Sequence, residues 1–235
     1  WSSDVCSSDL KTSELHLEML VNEEHEQLYG LQWGDPDRQA NLQMIRDVAL
    51  RPHVGEGRRV VEIGPGGGRW TRYMKAAEKI YAVDPFKELL DELASTLPDW
   101  PNLEFVLNSG SDLPGIADGS IDFVFTFGVF VHLDPEVVDG YLHEIARVLH
   151  PDGRAFIQYS DKTKPRAFRN KGFAVNHPAM MRDMLDRTGF TIEWENTTVL
   201  PHSACVMCRK RREGETMHMT GELPPLPAQY YPVRS

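Results

Sequence analysis

Residues 59–70 read RVVEIGPGGGRW, and twenty residues beyond Gly64 a second apolar run, IYAVDP, reaches Asp84. No other feature constrains the chain as much. An apolar strand closes on an acid, a glycine-rich turn follows, and a second strand closes on a second acid. Two parallel strands laid out in this way form a nucleoside-binding cleft at their carboxyl ends. A bare strand-to-helix turn would also use glycines, but it would not need the second acid.

The ligand can be narrowed from local chemistry. The glycines Gly64, Gly66 and Gly68 are spaced G-x-G-x-G, and position 69, where a dinucleotide fingerprint places a third glycine, holds Arg69. A pyrophosphate beside Glu62 would meet like charge, whereas a cationic sulfonium would not. These residues favour S-adenosylmethionine over NAD. Glu62 and the three glycines would line the cofactor, and Asp84 would accept both ribose hydroxyls.

At these residues the chain resembles the class I S-adenosylmethionine-dependent methyltransferases. The resemblance runs from roughly Val54 to Arg212 in four segments: VVEIGPGGGRW, YAVDP, SIDFVFTFGVFVHLD and EIARVLHPDGRAFIQ. It implies that the loop after the third strand contacts adenine. An acid is common there in the family; this chain has Ser109 and Gly110, with Asp112 three residues beyond Ser109. It also implies that Phe127, at the end of the fourth strand, lies near the methionine half of the cofactor, although Phe127 would serve equally as core. His132, just past that strand, is a candidate base, since imidazole titrates near neutral pH. In the family a histidine here is often only structural. Tyr159 and Asp161, at the end of the fifth strand, are further candidates to face substrate. His16, His25, His177 and His202 read as solvated or helix-end histidines.

The rest of the chain alternates strand and helix patterns. Helices are expected over 13–31, 37–50, 69–77, 86–96, 135–149 and 178–188. Strands are expected over 59–63, 80–84, 103–107, 121–127, 154–159, 191–199 and 204–209. Asp134-Pro135 supplies an N-cap and a first helical proline. Pro151-Asp152-Gly153 reads as a turn with a residue suited to positive φ. The fold class is therefore α/β: a doubly wound, mostly parallel seven-stranded sheet ending in an antiparallel hairpin.

Four regions are expected. WSSDVCSSDL, residues 1–10, looks like a translated sequencing adapter; a genuine polar tail is the alternative. Residues 11–53 form N-terminal helices that, with Tyr29 and Trp33, would make a lid. Residues 54–212 form the cofactor-binding domain, with the loop 161–177 as another wall of the acceptor site. Residues 213–235 are a Pro-rich tail expected to be disordered.

Composition bounds the function. The net charge is −10, or −8 without Asp4 and Asp9, which disfavours general nucleic-acid binding. No run of eighteen apolar residues appears, so no membrane span is expected. With Cys6 set aside, only Cys205 and Cys208 remain, which fits a reducing cytoplasm. Three apart in a strand, they point to opposite faces, so no metal site is expected. FGVFVHLD after the fourth strand is not the N/D-P-P-Y/F motif of base-amine methylation, and no Pro-Cys pair offers attack on a pyrimidine carbon. The expected activity is methyl transfer to a small-molecule or sugar acceptor at a hydroxyl oxygen. A non-catalytic cofactor-binding or interaction protein is the alternative, and an NAD-dependent oxidoreductase is a weaker one.

Overall fold

The computed structural model describes residues 30–217. The segment before Gly30, with the expected first helix, Tyr29, His16 and His25, and the Pro-rich stretch beyond 217 lie outside the described residues.

Seven strands form one sheet in the order β3-β2-β1-β4-β5-β7-β6. They are β1 Arg59–Ile63, β2 Lys79–Asp84, β3 Leu103–Leu107, β4 Ile121–Thr126, β5 Leu149–Ser160, β6 Phe190–Asn196 and β7 Ser203–Lys210. The first five run parallel, and β7 runs antiparallel between β5 and β6. Strand order reverses between β1 and β4, so the crevice of this doubly wound sheet opens beyond the carboxyl ends of those two strands. The first glycine motif sits there.

Helices cover both faces. On one face lie α3 (Pro135–Val148) and α5 (Pro178–Arg187). Val138, Tyr141, Leu142, Ile145 and Val148 recur at helical spacing along α3 and pack with Met181, Met184 and Leu185 over Val61, Val83, Val124 and Ile157. The other face carries α1 (Ala40–Met44), which continues as a π-helical turn, Ile45–Leu50. There Met44, Ile45, Trp70 and Met74 pack on Phe123, Phe125 and Phe156. The rings of Phe125 and Phe156 stack at 5.1 Å, and each fully buried ring stabilises the fold by about 1.5–3 kcal/mol. Helix α2 (Lys87–Thr96) lies against β2 and β3, and a short α4 (Pro165–Arg169) interrupts the loop after β5.

Three expectations are corrected. No α-helix forms over 69–77; only a single 3-10 turn, Thr71–Tyr73, is present. Arg69, Trp70 and Thr71 are consecutive and all buried, whereas a helix offers one inward stripe every third or fourth residue. The strand expected over 154–159 begins at Leu149 and runs through the Pro-Asp-Gly turn. Ile121 pairs with Leu149 and Phe123 with Arg154, so four residues bulge opposite Asp122. Gly153 does not take positive φ; its use is space, because a Cβ there would lie 2.8 Å from the Ile121 carbonyl oxygen. The strand expected to reach Val199 ends at Asn196. The Asn196 side chain turns the chain by accepting from the N–H groups of Thr198 and Val199 at 2.8 and 2.7 Å.

The two cysteines follow the strand rule. Both are buried in β7, Cys205 on the α1 face and Cys208 on the α3 face. No group of three or more potential metal ligands occurs among the described residues, and no described helix is long and apolar enough to cross a membrane. The basic run 209–212 is not simply solvated: Arg209 pairs with Glu215, Arg211 with Asp186, and the Lys210 ammonium donates to the Leu149 carbonyl.

Candidate active site

The crevice is built from strand ends. The Gly64 N–H donates to the Val83 carbonyl at 2.8 Å, joining the tips of β1 and β2. Gly64, Gly66 and Gly68 have φ of 70°, 52° and 94°, the left-handed region that favours glycine. Gly64 has a second reason: a Cβ would stand 2.1 Å from a methyl of Val129, in the loop after β4. That loop and the glycine turn therefore touch at the crevice floor.

Glu62 is 2% exposed and accepts a hydrogen bond from the Thr71 hydroxyl at 2.6 Å. Burial pushes its pKa up to about 7, with Thr71 and the Arg69 charge acting in the opposite direction. Arg69 is itself buried. Its Nη1 donates to the carbonyls of Gly30 and Gly34 at 3.2 and 3.4 Å, and its guanidinium lies over the rings of Trp70 and Phe127. Burial brings its pKa down to about 10. Asp84 is also buried; its Oδ1 accepts from the Phe86 N–H at 2.9 Å, and burial pushes it up to about 7.

The loop after β3 caps itself. The Ser109 N–H and hydroxyl both donate to Asp112 Oδ1, at 2.7 and 2.8 Å, and Gly110 takes φ 107°. Its buried anchor is Asn108, whose amide donates to the Asp112 carbonyl and the Tyr141 hydroxyl. Asn108 Oδ1 and, at the end of β4, Thr126 Oγ1 are buried with no partner among the described residues.

The site residues divide. Glu62, the three glycines, Asp84 and Phe127 gather at the crevice. His132 sits on the next turn, its N–H donating to the Val129 carbonyl. The His132 ring Nδ1 lies 2.7 Å from the Gly172 carbonyl oxygen, which can only accept, so Nδ1 carries the proton and Nε2 is the basic nitrogen. Burial lowers the His132 pKa. Tyr159 and Asp161 are committed elsewhere. Tyr159 is fully buried and donates to Glu195 at 2.7 Å, with burial pushing its pKa up. Asp161 Oδ1 accepts from the Thr163 N–H and hydroxyl, which fixes the start of the loop.

Sequence reading missed Thr71, Asn108 and Gln158. Gln158 Oε1 accepts from the Gly128 N–H, and its amide donates to Ser203, both at 2.7 Å. A glutamine inside the apolar run AFIQYS was the available signal.

The donor set fits the cofactor implied above. S-adenosylmethionine presents an ammonium, a ribose diol and an adenine amine, all donors. The crevice offers two buried carboxyls, and beside Asp84, at the end of β3, Asn108 holds a buried amide oxygen without a partner among the described residues, all acceptors. Asp84 would take the ribose, Asn108 the adenine edge, and Glu62 the methionine end.

Comparison with known proteins agrees. Residues 61–157 match the family model described as a methyltransferase domain. An uncharacterized methyltransferase of Mycobacterium tuberculosis H37Rv is 36% identical over 98 residues, 41% of this chain and 37% of the relative, so the match spans little more than a third of that protein. An S-adenosylmethionine-dependent methyltransferase from Aquifex aeolicus superposes with TM-score 0.57 at 20% identity, covering 75% of this chain and 94% of that one. Phosphoethanolamine N-methyltransferase 1 of Haemonchus contortus, solved with phosphoethanolamine and S-adenosylhomocysteine, superposes with TM-score 0.59 at 17% identity over 77% of this chain and 44% of that one. Sheet order and crevice chemistry agree with this match: residues 61–157 form a methyltransferase domain, on the fold of solved S-adenosylmethionine-dependent methyltransferases.

Proposed function

We propose that the chain methylates a small-molecule or sugar acceptor at a hydroxyl oxygen, with His132 as the base. The observation that carries this reading is the His132–Gly172 contact, which sets the imidazole in one tautomer on the loop beside Phe127, while burial favours its neutral form. S-adenosylmethionine, when bound, supplies an electrophilic methyl on a sulfonium. The chain's own residues do the rest. Glu62, Asp84 and the glycine turn orient the cofactor, and His132 Nε2 takes the proton from the acceptor hydroxyl. Alignment of this kind contributes up to roughly 7–11 kcal/mol in favourable cases.

The segment entering at Gly30 is proposed as one wall of the acceptor site. Arg69 supports this by gripping the Gly30 and Gly34 carbonyls while lying over Phe127. The net charge of −10 argues against nucleic acid as the acceptor. A cytoplasmic location is kept as part of the same reading.

The test is calorimetric titration with S-adenosylhomocysteine and, in parallel, NAD, followed by turnover against a panel of hydroxylated acceptors. Binding of the first ligand with turnover of at least one acceptor is expected. Binding of NAD alone would overturn the reading. Tight S-adenosylhomocysteine binding without turnover of any acceptor would favour a non-catalytic member.

A further inference from the structure

Among the described residues, every lysine and arginine but three engages a carboxylate, a carbonyl or hydroxyl oxygen, or an aromatic face. The three are Arg166, Arg169 and Lys171. All are exposed, and all lie in the loop between β5 and α5. In an acidic chain whose cations are otherwise paired, a solvated face is a poor account of such a cluster.

The loop's other two cations turn inward and hold its shape. The Lys162 ammonium donates to the carbonyls of Ala167 and Asn170, the latter at 2.8 Å. The Lys164 ammonium donates to the carbonyls of Leu200 and Ser203 at 2.9 and 2.6 Å. The loop's own acid, Asp161, is buried and caps Thr163. The outer face thus keeps its positive charge, and Phe168, in the same short helix as Arg166 and Arg169, is 75% exposed.

This loop is fastened to the transfer side of the crevice. The Ala174 N–H donates to the Val131 carbonyl at 2.8 Å, and the Asn176 amide donates to the Leu133 carbonyl at 3.0 Å. The Phe173 ring bridges two histidines, its centroid 5.4 Å from His132 and 5.3 Å from His202. The charge of Arg166 is felt at His202, adding to the burial that lowers that histidine's pKa. Arg166 therefore lies on the His202 side of Phe173, whose other neighbour is the group assigned as base.

We propose that this loop binds an anionic group of the methyl acceptor, a carboxylate or a phosphate, through Arg166 and Arg169, with Phe168 covering the acceptor's apolar part. Guanidinium forks match both anions with paired hydrogen bonds. Three cations against a net charge of −10 suit a small anion better than a polyanion or a membrane surface. The inference rests on the methyltransferase reading above.

The experiment titrates the full chain, with and without saturating S-adenosylhomocysteine, with phenyl phosphate, benzoate and benzyl alcohol. At least one anion should bind and the alcohol should not. The double variant Arg166→Gln/Arg169→Gln should weaken anion binding by about tenfold or more and leave S-adenosylhomocysteine affinity unchanged. Equal anion affinity in the variant and the parent, or no anion binding, overturns the proposal. Failure of the parent to bind S-adenosylhomocysteine removes the methyltransferase reading instead, and the ligand-free anion titration tells the two failures apart. Co-sedimentation with phosphatidylglycerol vesicles that depends on these arginines would overturn the small-acceptor assignment in favour of a lipid surface.

Discussion

Thr71 donates its hydroxyl to Glu62 across 2.6 Å in a site closed to solvent. Thr71 lies nine residues beyond the acid, in a segment that gave up a regular helix to turn inward. The bond fixes the orientation of the carboxyl that faces the crevice.

Thr71→Val removes that donor while keeping the shape. A hydrogen bond to a charged group contributes about 1.5–3 kcal/mol, and a loss of that size is expected in chemical denaturation. Thr71→Ser should recover most of it. If Thr71→Val unfolds at the parent midpoint, the bond is not a support of the fold.

Gly64→Ala faces two obstacles: φ of 70° and a Cβ 2.1 Å from a Val129 methyl. A strained backbone residue costs about 1–3 kcal/mol, and the turn would be pushed off the floor of the crevice. Loss of detectable S-adenosylhomocysteine binding is expected by calorimetry. Adding Val129→Ala should restore part of the stability by removing the clash, which an effect of φ alone would not permit.

Asp84 gives the domain a pH signature. Its folded pKa is raised to about 7 from an ordinary 3.8, so the folded state holds the proton longer than the unfolded chain. The sign follows: Asp84 lowers stability progressively as pH rises from about 4 to about 7, and adds no further change above that. Asp84→Asn should flatten this slope in pH-resolved denaturation. Ribose hydroxyls would pair with the ionised form, so S-adenosylhomocysteine affinity should fall about tenfold per pH unit below 7. A pH-independent dissociation constant between 6 and 8 would count against Asp84 as the ribose acceptor.

His132→Gln keeps a polar side chain but removes the base. Turnover should drop by about 10²- to 10⁴-fold, with S-adenosylhomocysteine affinity unchanged. Equal loss of binding would make His132 a structural residue of the loop.

Much of the fold was legible because strand signals are local. The bounds of β1 and β3 match those read from the apolar runs, and the hairpin followed from two strand patterns with no helix between them. Position 69–77 misled because its apolar spacing permits a helix, while its true constraint is the contact of Thr71 with a residue in the previous strand. Glu62 and Asp84 were visible as acids closing apolar runs. Asn108 and Gln158 were not, because their partners Tyr141 and Ser203 are 33 and 45 residues away in sequence. Tyr159 looked available at a strand end, yet its neighbour across space is Glu195 on a different strand.

Cys205 and Cys208 stand three residues apart on one strand and face opposite layers, both sealed and with thiol pKa pushed up by burial. A buried neutral thiol reacts only when its surroundings open. The chain thus carries one chemical reporter in each layer. With each cysteine kept in turn, the rate of thiol labelling in native buffer would report how often the α1 side and the α3 side open independently.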